Sequence, residues 1–186
     1  MNSAFNLLAR TAFEFLEKEE GFRIVEERPN RVRFESNRVA FAAAWDEGKS
    51  FEAFFGMGLL GNSGPLFDAG EILKSCEVPH QEWPSGYQIT DTDALGRLVQ
   101  RVADLLRRYC VGLLNGRASD WENLETSRRT QCKQYAHDRG LTLARNDAQA
   151  AWNQRNYSEV VRTLEPWAAH LGDVDRHRLE YARKHR

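Results

Sequence analysis

The feature that most constrains this chain is a change of hydrophobic period at Gly21. Before it, Phe5, Leu8, Ala12, Phe15 and Leu16 recur at three- and four-residue steps and share one helical face. After it, Val32 and Phe34 alternate with Arg31, Arg33 and Glu35, and Val39, Phe41, Ala43 and Trp45 form a second alternating set. A helix smears a period-two pattern around its axis, so the N-terminal part must join one helix to a sheet. Ser3 is the expected N-cap of that helix, and Gly21 sits where a left-handed residue ends one. Pro29-Asn30, Ser36-Asn37-Arg38 and Asp46-Glu47-Gly48-Lys49 separate strands near 22–28, 31–36, 38–45 and 50–57. Each interruption is short enough for a hairpin. The expected fold is α+β: an N-terminal helix packed on a four-stranded antiparallel meander, followed by a helical C-terminal half.

Residues 58–90 are punctuated by Gly58, Gly61, Gly64-Pro65, Pro79, Pro84 and Gly86, with a short helix expected near 68–75 through Phe67, Ile72 and Leu73. Leu95, Leu98, Val99, Val102, Leu105, Leu106, Tyr109, Leu113 and Leu114 then trace one apolar stripe. The cluster Thr90-Asp91-Thr92-Asp93 supplies caps before it and Asn115-Gly116 ends it, so a helix is expected over 92–115. A polar helix is expected over 119–138, with Trp121, Leu124 and Tyr135 as anchors. A helical hairpin turning at Arg155-Asn156 follows, then a last helix near 173–184. Small Ala residues facing Trp and Tyr in the hairpin, AxxAW followed by NY, resemble half of a tetratricopeptide-type unit, but no period of about 34 residues repeats. Organisation is expected as 1–90, helix plus sheet and loops, and 91–186, a helical subdomain. The two are separate or form one compact unit.

Ten Phe and five Trp give a chain of 186 residues enough bulk for a core without a disulfide or metal staple. Cys76, Cys110 and Cys132 form an odd set with no CxxC pair, unlike a secreted disulfide framework. The N-terminal stripe is cut by Arg10, Glu14 and Glu17, unlike a signal peptide, and no run reaches the roughly 20 apolar residues of a membrane span. The expected compartment is the cytoplasm, with no membrane partner.

No assembled catalytic constellation, cofactor loop or metal-ligand set is legible. His80 follows Cys76 by four residues and His137 follows Cys132 by five, but a zinc site needs four convergent ligands and no second well-spaced pair exists. His177 and His185 are expected at the surface. Gly56, Gly58 and Gly61 fit GxGxxG, yet Asn62-Ser63-Gly64-Pro65 follows where a helix should open, so these glycines are expected to be a strand end and a loop. There is no GxSxG elbow and no GxxxxGK[ST] loop. Arg97, Arg101 and Arg108 share a face of the long helix with Arg107 beside it. Asp104 lies in the same stripe, so a salt-bridged face is expected ahead of nucleic-acid contact.

Charge gives the remaining lead. Residues 1–90 carry 9 Lys and Arg against 14 Asp and Glu, and residues 91–186 carry 17 against 13. Asp46 and Glu47 at a hairpin tip, Glu52 on the next strand and Glu71 beyond are the expected partner-binding residues, an acidic patch facing a basic partner. The segment FEFLEKEEGFRIVEERPNRVRFESNRVAFAAAWDEGKSFEAFFGMG, within residues 13–58, has a helix ending in GF, a strand ending in RFES and an aromatic-Asp turn followed by S-F-E. It resembles small uncharacterised bacterial proteins, some of them similar to immunity proteins of polymorphic-toxin or contact-dependent inhibition systems. The charge asymmetry and the absence of a legible catalytic motif lead to the expectation of a non-enzymatic protein-binding domain, and the resemblance implies an immunity protein neutralising a basic toxin as one form of it. The alternative is an enzyme of unrecognised type with its site in the 58–90 loops against the 92–115 helix. Cys76, His80, Glu82 and Asp91 are its first candidates, and a deep pocket holding them together would decide for it.

Overall fold

The computed structural model describes residues 4–186, and Ser3, the expected cap, lies outside the described residues. The chain divides into two compact units, Met1–Arg128 and Arg129–Arg186. The apolar stripe beginning at Leu95 belongs to the core of the first unit.

The first unit opens with α1 (Ala4–Ala12) and α2 (Glu14–Lys18), interrupted at Phe13. Gly21 follows at φ 70°, the left-handed conformation that glycine adopts without a Cβ clash. Then come β1 (Arg23–Arg28), β2 (Arg31–Glu35), β3 (Val39–Trp45) and β4 (Ala53–Leu59), the expected antiparallel meander. A fifth strand, β5 (Phe67–Asp68), was not expected. It is two residues long, too short to impose a period, and pairs with Gly56 and Met57. α3 (Ala69–Ser75), α4 (Thr92–Tyr109) and α5 (Val111–Leu114) add to the core, and Trp121 and Leu124 beyond them belong to it too. The helix expected over 92–115 is thus broken at Cys110, although Leu113 and Leu114 beyond the break remain buried.

Register turns the period-two pattern into two faces. One row across the sheet runs Ile24, Phe34, Phe41, Met57, Phe67, and all but Ile24 are buried. The adjacent row runs Glu26, Arg33, Ala42, Gly56, Asp68. A slip of one residue would exchange the rows, which is why the pattern specifies a single pairing. Over the apolar row sits Phe13, its ring centroid 4.7 Å from Phe41, 6.0 Å from Phe55 and 6.2 Å from Phe34. α1 lies against β2 and α4, and α3 against β4 and α4, so the helices cover this one face. At the border of the sheet, β1 has a partner only in β2, and its register shifts between Ile24 and Glu26.

The opposite face explains the glycines. A Cβ at Gly56 would lie 2.4 Å from the Phe54 ring and 3.1 Å from Leu66, and one at Gly58 would lie 2.8 Å from Leu66. Both sit inside β4 so that Leu66 can lie directly on the strand, and Gly61 turns the chain at φ 83°.

α6 (Ala118–Asn153) is a single helix of 36 residues, where one polar helix and the first arm of a hairpin were expected. Within it Gly140 makes room for a ring: the place of its missing Cβ is 2.7 Å from the Trp167 indole. In the second unit the chain turns at Arg155 (φ 57°), the Asn156 side chain accepts from the Glu159 N–H at 3.2 Å, and α7 (Tyr157–Leu164) begins. A 3₁₀ segment, Glu165–His170, leads to α8 (Asp173–His185). Ala148 and Ala151 are buried with Val160, Val161, Leu164, Leu179 and Ala182.

Candidate binding site

The four acids singled out from the sequence meet different fates. Asp46 folds its own hairpin: its carboxylate accepts from the Ser50 N–H at 3.2 Å and the Ser50 hydroxyl at 3.0 Å. Those bonds, the backbone one foremost, lower its pKa. Glu71 is spent inside the fold. With Asp68 it forms the capping box of α3, and its carboxylate accepts from Arg128 Nε at 2.6 Å. Arg128 also donates to the Pro65 and Leu66 carbonyls and stacks 3.6 Å from the centre of the Phe67 ring. Its hydrogen bond holds the Glu71 carboxyl below the usual range. Glu47 and Glu52 are exposed, and neither carboxylate has a partner among the described residues.

Glu52 belongs to a built concavity. On the outer edge of β4, residues 51–53 pair with 87–89: the Ala53 N–H donates to Tyr87 O and the Ile89 N–H to Phe51 O, both at 2.7 Å. Farther along the same edge, Gly56 and Met57 pair with β5. Phe54 and Phe55 fall between the two pairings, and there the edge opens into a cavity of about 350 Å³. Glu52 and Asp68 stand on its rim, the Phe54 ring lines it at 40% exposure, and Tyr87 lies at its wall. The Tyr87 hydroxyl is buried without a hydrogen-bond partner among the described residues, and burial, with the Asp68 charge adding to it, pushes its pKa up to about 12. Asp68 uses one carboxylate oxygen for the helix cap and keeps the other turned to no bonding partner among the described residues. Two carboxylates around an exposed aromatic face suit a cationic side chain, which gains both ion pairing and the negative face of the ring.

Among the described residues, no hydrogen bond, ion pair or ring contact joins the four residues considered for catalysis to one another. Glu82 accepts from the Tyr109 hydroxyl at 2.8 Å and from Arg108, with Arg101 at 3.6 Å, and these bonds lower its pKa, that from Tyr109 most. His80 stacks on Trp83 at 5.1 Å between ring centroids. Asp91 caps α4 by accepting from the Ala94 N–H at 2.8 Å. Cys76 is half-buried at the end of α3.

Of the arginine stripe, Arg97 is exposed with no ion pair among the described residues, and the other three are engaged. Arg101 donates to the Glu82 carbonyl at 2.9 Å, Arg108 pairs with Glu82, and Arg107 pairs with Glu19 of the N-terminal region. In the second unit, His137 packs edge-on against Trp167 and His170, His177 lies 2.7 Å from the Asp173 carbonyl, and His185 stacks on Tyr181. Among the described residues no group of three metal-ligating side chains forms, and no helix is long and apolar enough to cross a membrane.

Charge divides as the fold does. The first unit carries 15 Lys and Arg against 20 Asp and Glu, and the second carries 11 against 7. Phe54, Asp68 and Tyr87 escaped sequence reading because their meeting depends on β5 and the 87–89 pairing, neither of which has a periodic signal. Only Phe54 left a trace, as a large apolar residue on the polar phase of its strand. No protein-family model, curated protein or solved structure matches the chain.

Proposed function

We propose that this is a non-enzymatic protein-binding domain whose acidic first unit captures a basic partner, as an immunity protein captures a toxin. The reading rests on one observation: an exposed Phe54 ring in a concavity shared with the carboxylates of Glu52 and Asp68, neither of them in an ion pair among the described residues, on a unit with five more acids than bases. A Lys or Arg side chain of the partner enters the gap in the sheet edge, with Glu47 at the nearby hairpin extending the negative field. Long-range attraction accelerates encounter, and the aromatic contact prolongs the complex. The bacterial source and the toxin as partner follow from the resemblance of residues 13–58 to immunity-type proteins.

The test is retention of a partner from the source cell on the immobilised chain, followed by elution with salt. A protein should be held at low salt and released as ionic strength rises, because surface charge interactions are screened within roughly 10 Å at 0.1 M. Phe54→Ala should weaken the complex about 10- to 100-fold, and Glu52→Lys should lower the association rate and flatten its salt dependence. A partner held equally well by Glu52→Lys and Phe54→Ala, or no partner at low salt, overturns the proposal.

A further inference from the structure

In the second unit two histidines from separate segments meet ring to ring. His137 lies on α6 three residues before Gly140, and residues three apart share a face of a helix. Trp167 and His170 are likewise three apart on the 3₁₀ segment, where that spacing eclipses side chains. The bare side of Gly140 receives the Trp167 indole, and the two pairs come together. The His137 ring centre is 5.3 Å from that of Trp167 and 4.4 Å from that of His170, with the two imidazoles at 79°. His137 Nδ1 is 3.3 Å from Asp138 Oδ1, which also accepts from Gln134 Nε2 at 2.8 Å. These bonds, that from Gln134 foremost, hold the Asp138 carboxyl below its usual range. An ionised carboxylate only accepts, so the His137 proton sits on Nδ1 and the ring lone pair is left on Nε2. That Nε2 is buried and has no hydrogen-bond partner among the described residues. His170 is exposed, and rotation of its ring aims a lone pair at the same point.

We propose that His137 Nε2 and one nitrogen of His170 bind a divalent first-row transition ion, Cu²⁺ most tightly, and that Asp138 orients His137 for it. Neutral imidazole suits Ni²⁺, Cu²⁺ and Zn²⁺, and Cu²⁺ heads their order of affinity. An ion about 2.0–2.1 Å from each of two imidazole nitrogens, bound at a right angle, sets the ring centres about 4.5 Å apart, close to the 4.4 Å between these rings. A carboxylate on the far nitrogen is the usual support of a metal-bound histidine, because it fixes the tautomer and makes the ligating nitrogen more basic. No group of three ligating side chains forms among the described residues, so water completes the coordination. The ion joins α6 to the 3₁₀ segment, and by binding only the folded form it stabilises residues 129–186.

The whole chain carrying Cys132→Ser, which removes an exposed thiol that would reduce the ion, is titrated with Cu²⁺ and followed by electron paramagnetic resonance. One tightly held ion per chain is expected, with splitting from two imidazole nitrogens. His137→Ala and His170→Ala should each weaken this binding by at least about 10-fold and abolish the two-nitrogen signal. Asp138→Ala should weaken it about 10-fold, and Asp138→Asn, which still accepts from Nδ1, by less. Zn²⁺ should slow amide exchange within residues 129–186 of the parent chain and leave His170→Ala unchanged. Equal affinity in both histidine variants places the ion elsewhere, at the N-terminal amine or other histidines, and overturns the proposal. A two-nitrogen signal that survives His170→Ala does the same. Because His170 is exposed, its variant decides the matter if His137→Ala does not fold.

Discussion

The two units solve the same problem with opposite materials. The first fills its core with large rings, Phe13, Phe34, Phe41 and Phe55, set on a sheet whose alternate row is polar or small. The second brings helices close through Ala148, Ala151 and Ala182 and leaves its aromatics, Trp152, Tyr157 and Tyr181, as a mutually edge-packed cluster near solvent. Rings bury more apolar area per residue, whereas alanines gain closeness of backbone at little side-chain entropy. The second unit, residues 129–186, is also small enough that its core is marginal by area alone. The lesson is that stability is concentrated in the first unit, and local opening should begin in the second.

The largest test of that contrast is Phe41→Ala. It removes the ring 4.7 Å from Phe13 and should destabilise the first unit by about 3–5 kcal/mol, read from the denaturant midpoint. A loss below about 1 kcal/mol would mean the ring core is not what holds this unit. Leu164→Ala, fully buried in the second unit, should cost about 2–4 kcal/mol and abolish amide protection in residues 129–186 while residues 4–128 keep theirs. Equal loss of protection in both regions would erase the distinction. Glu71→Gln should cost the first unit about 1–2 kcal/mol at neutral pH, since the partly buried Arg128–Glu71 ion pair is lost. The sign of the pH effect is fixed by the lowered pKa of Glu71. Its contribution is complete above the ordinary value of 4.5 and disappears as pH falls through the lower folded value, so wild type and variant should converge in acid. The smallest effect is expected from Asn156→Ala, about 0.5–1 kcal/mol through loss of the α7 cap, confined to the second unit and visible as faster exchange at Tyr157–Glu159.

What was legible in the sequence followed periodicity. Four strands, the stripe from Leu95 and the turn at Arg155-Asn156 each repeat a signal over several residues or use a strong local one, and the structure places them close to where they were expected. What escaped was encoded pairwise across the chain. Gly140 looks like a helix breaker until Trp167 is seen to occupy its empty side, and Phe67-Asp68 is too brief to announce a strand. The same holds for the candidate site. Glu47 and Glu52 are exposed acids as their positions suggested, but nothing in the spacing of Glu71 reveals that Arg128, far along the chain, would claim it.

The border strand Arg23–Arg28 carries a further consequence, for behaviour in concentrated solution. Any second molecule laying a strand along it would have to strip water from Arg23, Glu26, Glu27 and Arg28 and match an irregular backbone between Ile24 and Glu26. Open-ended stacking of sheets, the route to fibrils, is therefore obstructed at its first step on this side. The apolar strand Val39–Trp45 is interior to the sheet, while the rim strand sets Arg23, Glu26, Glu27 and Arg28 around one exposed apolar residue, Val25.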